Sequence, residues 1–233
     1  MSSASWGALG RSGRRALLVA IGMAAVPTIP ARAAGKVTRM DRSIVRVALD
    51  CGGPDYLEAE KEIVAAGAQF HPTIRAEAAR RGPLDLAIAE MLLGWETEGA
   101  KWRACLERLD ALGKKYAKSV IGHPIPEHVA EVLTGEFASS CVPLLSVRLL
   151  KEGANWPFWK AAGVLLHLRD VRDPRSTEPL LRFFLSAPEP RLTRIAAEAL
   201  HALGAGQRLE KELQNLKGRA ETLEEAWRAA AAK

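Results

Sequence analysis

Residues Trp159 to Gly204 read WKAAGVLLHLRDVRDPRSTEPLLRFFLSAPEPRLTRIAAEALHALG, and this stretch decides the fold. It holds two similar segments, Ala161-Ala162-Gly163-Val164-Leu165 and Ala196-Ala197-Glu198-Ala199-Leu200, 35 residues apart. Asp173-Pro174 between them marks a turn, and Pro179 and Pro190 each precede a helix-like run. Proline is tolerated in the first turn of a helix because its missing N–H has no intrahelical partner there. Outward from this stretch the same pattern returns at Val129-Ala130-Glu131-Val132-Leu133 and Ile88-Ala89-Glu90-Met91-Leu92, giving spacings of 41, 32 and 35 residues, a mean of 36. A second register agrees with the first: Pro143-Leu144-Leu145 and Pro179-Leu180-Leu181 lie 36 apart, and Pro72 precedes Pro143 by 71. Two registers with one period predict a helical repeat.

The rest of the chain fits an all-α protein. Trp102, Cys105, Leu106, Leu109 and Leu112 recur three and four apart, one face of a helix. Pro54, Pro83, Pro126 and Pro157 also stand before helix-like runs, and no alternating strand is bounded by hairpin turns. The Ala-Ala-Glu-x-Leu pattern, the Asp-Pro turn and the period together resemble HEAT repeats, over roughly residues 54 to 204. That resemblance implies an α-solenoid of four to five helix pairs, with the turn joining repeats and the alanines allowing close packing. The expected organisation is a signal at 1–33, a short capping segment at 34–53, the repeat domain at 54–206 and an amphipathic helix at 207–233. In that last segment Leu209, Leu213, Leu216, Ala220, Leu223 and Trp227 form an a/d seam. Its expected use is an end cap on the last repeat, with a homo-oligomer through the seam as the alternative.

The N-terminus reads as an address. Arg11, Arg14 and Arg15 precede an uncharged stretch from Ala16 to Pro30, and Ala31-Arg32-Ala33 offers a cleavage site after Ala33. The apolar stretch is too short for a membrane span. Gly13-Arg14-Arg15-Ala16-Leu17-Leu18 resembles a twin-arginine signal, though arginine pairs also occur in general secretory signals. Cleavage removes four arginines from the 33 basic residues, leaving 29 against 27 acidic ones, so a net +6 falls to +2. The basic balance that would point to nucleic acid therefore belongs to the signal. The expectation is an exported protein, periplasmic or extracellular, with no stable membrane anchor.

Sites of chemistry are scarce. With 233 residues, 48% hydrophobic and 26% charged, the chain is neither collagen-like nor wholly disordered. The histidines His71, His123, His128, His167 and His201 include no His-x-x-x-His or His-Glu-x-x-His spacing, so no metal site is expected. His123 and His128 fall near a turn, and His167 and His201 read as partly exposed helix ends. Among Cys51, Cys105 and Cys141 there is no Cys-x-x-Cys, and any two could pair in an oxidising compartment. Asp170 and Asp173 lie in an inter-repeat turn, where Asp commonly caps helices. No nucleophile elbow, phosphate loop or dinucleotide fingerprint appears, so no catalytic residue and no cofactor is expected.

Two binding candidates remain. Trp156 and Trp159 bracket Pro157-Phe158, and three aromatics in four positions cannot all face one core. Arg169, Arg172 and Arg175 cluster at one inter-repeat turn, suited to an acidic partner. The expected function is a non-enzymatic scaffold that binds another protein. The alternatives are an enzyme or enzyme accessory subunit, since some HEAT-like proteins resemble bilin lyases, or a structural subunit of a cell-envelope assembly.

Overall fold

The computed structural model describes residues 39–50, 55–187 and 189–215, together with residues 223, 225, 227, 228, 230 and 232. The expected signal with its Ala33 site, Pro54, Cys51 and much of the C-terminal segment lie outside the described residues. Those described are helical and include no strand. In chain order the helices are α1 (Arg39–Leu49), α2 (Tyr56–Ala66), α3 (His71–Arg81), α4 (Pro83–Tyr116) and α5 (Pro126–Glu136). Then follow α6 (Val142–Glu152), α7 (Phe158–Val171), α8 (Thr177–Ser186), α9 (Pro190–Ala202) and α10 (Gly206–Gln214).

The prolines sit where the sequence places them. Pro72, Pro83, Pro126, Pro143 and Pro190 occupy the first turns of α3, α4, α5, α6 and α9. Pro157 caps α7 in extended backbone. One expected boundary is absent, because Ile88–Leu92 and Trp102–Leu112 belong to one helix of 34 residues, not two. Gly94 and Gly99 ought to weaken it by about 1 kcal/mol each. Instead Gly94 makes room for tryptophan. A Cβ on Gly94 would lie 2.4 Å from Cη2 of Trp102, whereas one on Gly99 would meet Cε3 of Trp95 at an ordinary contact distance of 3.4 Å. The two indoles meet edge to face, with centroids 5.2 Å apart. Tertiary packing therefore overrides local propensity along α4.

From α4 to α9 each helix packs on the helix two places later. α4, α6 and α8 lie side by side, as do α5, α7 and α9, and the two rows meet through pairs such as α8 and α9. Upstream, α1 packs on α3 and α2 on α4. The core between the rows includes Leu133, Leu144, Leu145, Val164, Leu165, Phe183, Phe184, Ala196 and Leu200. At the C-terminal end, Leu209, Leu213, Leu223 and Trp227 are buried, so the described members of the a/d seam are spent inside the chain. Arg208 of α10 pairs with the buried Glu178 of α8, and Trp227 stacks edge-on against His201, 5.8 Å between centroids.

α5 packs tightly on α7, and the contact explains why Gly163 stands where the matching segments carry Glu90, Glu131 and Glu198. A Cβ at Gly163 would fall 2.6 Å from both Cβ and Cγ1 of Val129, and 3.1 Å from the carbonyl oxygen of Pro126. Gly163→Ala gains about 1 kcal/mol of helix propensity but forces backbone apart, a cost of about 1–3 kcal/mol. The net result expected in thermal unfolding is destabilisation. Gly135→Ala, on the partner helix α5 and with nothing within 4 Å of the new Cβ, should stabilise. Opposite signs at the two glycines are the check.

Candidate functional site

The residues singled out in the sequence do not form one site. Trp156 and Trp159 stand at the start of α7, while Arg169, Arg172 and Arg175 lie at its far end or just beyond, about 20 Å away along the helix. All three aromatics at the start of α7 are half-buried and none is fully exposed. Trp159 lies over Gly113 of α4, whose Cβ would meet the ring at 3.2 Å. Lys160 places its ammonium 4.6 Å from the Trp156 ring, and the Arg191 guanidinium lies 4.2 Å from that of Phe158. Neighbouring helices thus share the aromatics that one core could not take.

Two of the three arginines are already engaged. Arg169 pairs with Asp170 at 2.8 Å and reaches Glu198 at 3.8 Å. Arg175 grips Asp173 with Nε and Nη2, and Nη2 also donates to the Ser139 carbonyl at 3.0 Å. Burial pushes the Asp173 carboxyl up, but the bonds from Arg175 outweigh it and hold it below its usual range. Asp173 Oδ1 also accepts from the backbone N–H of Arg175, the capping role expected of a turn aspartate. Arg172 is exposed and has left-handed backbone (φ +55°) at the end of α7, and it belongs to none of the ion pairs among the described residues.

The densest buried electrostatics lie elsewhere, where α2, α4 and α6 meet. Glu60, 3% exposed, accepts from Arg148 Nη2 at 2.9 Å. Arg148 also pairs with Glu152, whose Oε1 accepts from the Tyr56 hydroxyl at 2.7 Å. Lys151 donates to the Ala48 carbonyl at 2.6 Å and sits 4.3 Å from the Tyr56 ring. Burial raises the Glu60 carboxyl, with Arg148 and Lys151 opposing. Burial also raises the Tyr56 phenol, helped by Glu152. Glu60 Oε2, Arg148 Nε and Trp95 Nε1 are buried without a hydrogen-bond partner. Sequence reasoning missed this cluster because Glu60 and Arg148 are 88 residues apart and neither sits in a motif.

Trp95 also lines a small pocket of about 80 Å³ with Gly67, His71 and Glu96. His71 Nε2 stands 3.3 Å from Glu96 Oε2 across its rim. That volume suits a few waters and falls short of the several hundred Å³ of an organic-ligand site. Among the described residues no group of three or more His, Cys, Asp or Glu is placed to hold a metal ion. The carboxylates and cations of the cluster neutralise one another and tie three helices together. Cys105 and Cys141, both fully buried, are free thiols of α4 and the turn before α6, and Cys141 Sγ donates to the Lys101 carbonyl at 3.9 Å. The neighbouring Cys141, added to burial, holds Cys105 protonated.

His167 corrects an expectation. It is wholly buried in α7, where the sequence suggested a partly exposed helix end. The cause is the α5–α7 contact, which sets its Nδ1 3.0 Å from Thr134 Oγ1 and leaves Nε2 without a partner. His201, at the end of α9, is exposed. Burial lowers the His167 pKa to about 4, with Asp170 pulling weakly the other way. The unfolded chain takes up this proton near pH 6.5 and the folded one does not, so the stability is complete above that pH. It is lost as pH falls towards 4, by about 3 kcal/mol in all. Urea unfolding across that window should show His167→Leu with a distinctly shallower acid loss than the parent.

Comparison of the chain with protein-family models, curated proteins and solved structures yields no match.

Proposed function

We propose that this chain is an exported HEAT-like α-solenoid that serves as a non-enzymatic scaffold for another protein. The observation that carries the reading is the packing of each helix on the one two places later, in two rows from α4 to α9. One helix pair cannot bury both its apolar faces, and stacking is how repeat proteins solve this while leaving an extended surface for recognition. The 36-residue sequence period supports the same arrangement over α5 to α9, while the unbroken α4 departs from it. The basic, apolar N-terminal stretch supports export. The step from fold to binding is one of analogy.

Arg172 is the side chain best suited to mark the binding face, exposed at an inter-repeat turn between arginines that are already paired. The test is affinity capture of the tagged, exported protein beside an Arg172→Glu variant of unchanged helicity. A stoichiometric partner lost with the variant is the expected result. A co-purifying small molecule in place of a protein would overturn the scaffold reading.

A further inference from the structure

The connection between α4 and α5 carries side chains that a turn does not ask for. Ser119 N donates to the Tyr116 carbonyl at 2.9 Å and Gly122 N to the Ser119 carbonyl at 3.1 Å, so two successive turns fold residues 116–122. The Ser119 hydroxyl fastens both, donating to Tyr116 O at 2.8 Å and accepting from Gly122 N at 3.3 Å. Gly122 supplies the positive φ, +75°, that ends the second turn. Its two central positions are Val120 and Ile121, where Gly, Pro, Asn, Asp and Ser are the usual occupants. Val120 is 107% exposed and Ile121 60%, with Ile125 at 51% just beyond. A tip held by four hydrogen bonds therefore presents aliphatic side chains to solvent.

Between Asp110 and Glu127 the charge has one sign. Lys114, Lys115 and Lys118 are exposed, and no acidic residue lies between Asp110 and Glu127. None of the three lysines belongs to the ion pairs of the described residues, whereas Lys160 nearby is drawn towards Asp110. The half-buried Trp156 and Trp159 belong to the same edge, since Trp159 rests on Gly113 at the end of α4.

We infer that the α4–α5 tip is a membrane-contact element, placing Val120 and Ile121 among the acyl chains of an anionic lipid surface while Lys114, Lys115 and Lys118 meet headgroup phosphates. A lipid surface fits better than a protein. Protein interfaces need a broad complementary patch, and a two-residue protrusion offers little area, whereas fluid acyl chains close around any apolar shape. Basic residues beside inserted aliphatics are the pairing that reversible membrane binding requires. No single described helix is long and apolar enough to cross a membrane, and the contact inferred at the tip is a peripheral one. The inference goes beyond the scaffold reading and stands or falls without it.

The test is co-sedimentation of the full chain with vesicles of phosphatidylglycerol and phosphatidylcholine, and with vesicles of phosphatidylcholine alone. Binding is expected only to the anionic vesicles. Val120→Ser/Ile121→Ser and, separately, Lys114→Glu/Lys118→Glu should each weaken it about tenfold or more. All four side chains are exposed, so both variants should keep the parent's thermal midpoint. Absence of binding by the parent overturns the inference. So does binding that both variants retain, which would place the contact elsewhere in the chain, and so does equal binding to neutral vesicles.

Discussion

Trp102→Ala should remove about 4 kcal/mol of stability, a large share of what a domain of this kind possesses. Trp102 is 1% exposed and the largest of the fully buried side chains. Three contacts depend on it. Its ring fills the space that Gly94 leaves open on its own helix, its edge meets Trp95, and its Nε1 donates to the Ser140 carbonyl at 2.8 Å. The last of these ties α4 to the turn that introduces α6. Alanine leaves a cavity in the middle of α4 and an unpaired carbonyl at the turn, and it exposes the propensity cost of Gly94 without the packing that offsets it. Trp102→Phe keeps most of the ring and loses only the N–H, so it should cost about 1–2 kcal/mol. Urea denaturation of both variants measures the difference. A loss below about 1 kcal/mol for the alanine variant would mean that α4 is held by something other than this packing.

The same residue shows what was legible in the sequence. The apolar spacing of Trp102, Cys105, Leu106, Leu109 and Leu112 announces a buried helical face; four of the five are buried and Leu106 is half-buried. The prolines announce where helices begin, because their effect is local and fixed by φ. What spacing cannot convey is which residues meet across the fold. The period sets the Ile88 run and the Cys105 run in successive elements, and it does not convey that one helix carries both, with Trp102 packed over Gly94. Trp156, Phe158 and Trp159 look too crowded for one core, which is true, but α4 and α9 supply further surfaces. His167 is drawn inside by a Thr134 partner 33 residues away. The exposed tip had a local signal that went unused: Val-Ile between Ser and Gly, in a run of lysines with no acid, contradicts ordinary turn composition.

Arg148→Met should cost about 3 kcal/mol at neutral pH, and the reason is the carboxylate it leaves behind. Glu60 is almost wholly buried, and its Oε1 accepts from Arg148 Nη2 at 2.9 Å. Removing one member of a buried ion pair strands the other, which is far more costly than removing both. Glu60 already holds its proton more tightly than an exposed glutamate, because burial outweighs the pull of Arg148 and Lys151. Without Arg148 that tendency grows. The folded variant then binds a proton that the unfolded chain releases near pH 4.5. Its stability is therefore highest in acid and falls as pH rises towards the new folded pKa, so the penalty relative to the parent should widen from pH 5 to pH 7. Glu152, 26% exposed, can turn to water and contributes less to the penalty. The double variant Glu60→Leu/Arg148→Met should recover most of the loss, since two apolar side chains of similar volume carry no stranded charge. Chemical denaturation of the parent, both single variants and the double at two pH values closes the cycle. If the double variant is as unstable as Arg148→Met alone and the pH slope is unchanged, the cluster contributes packing and not charge pairing to the junction of α2, α4 and α6.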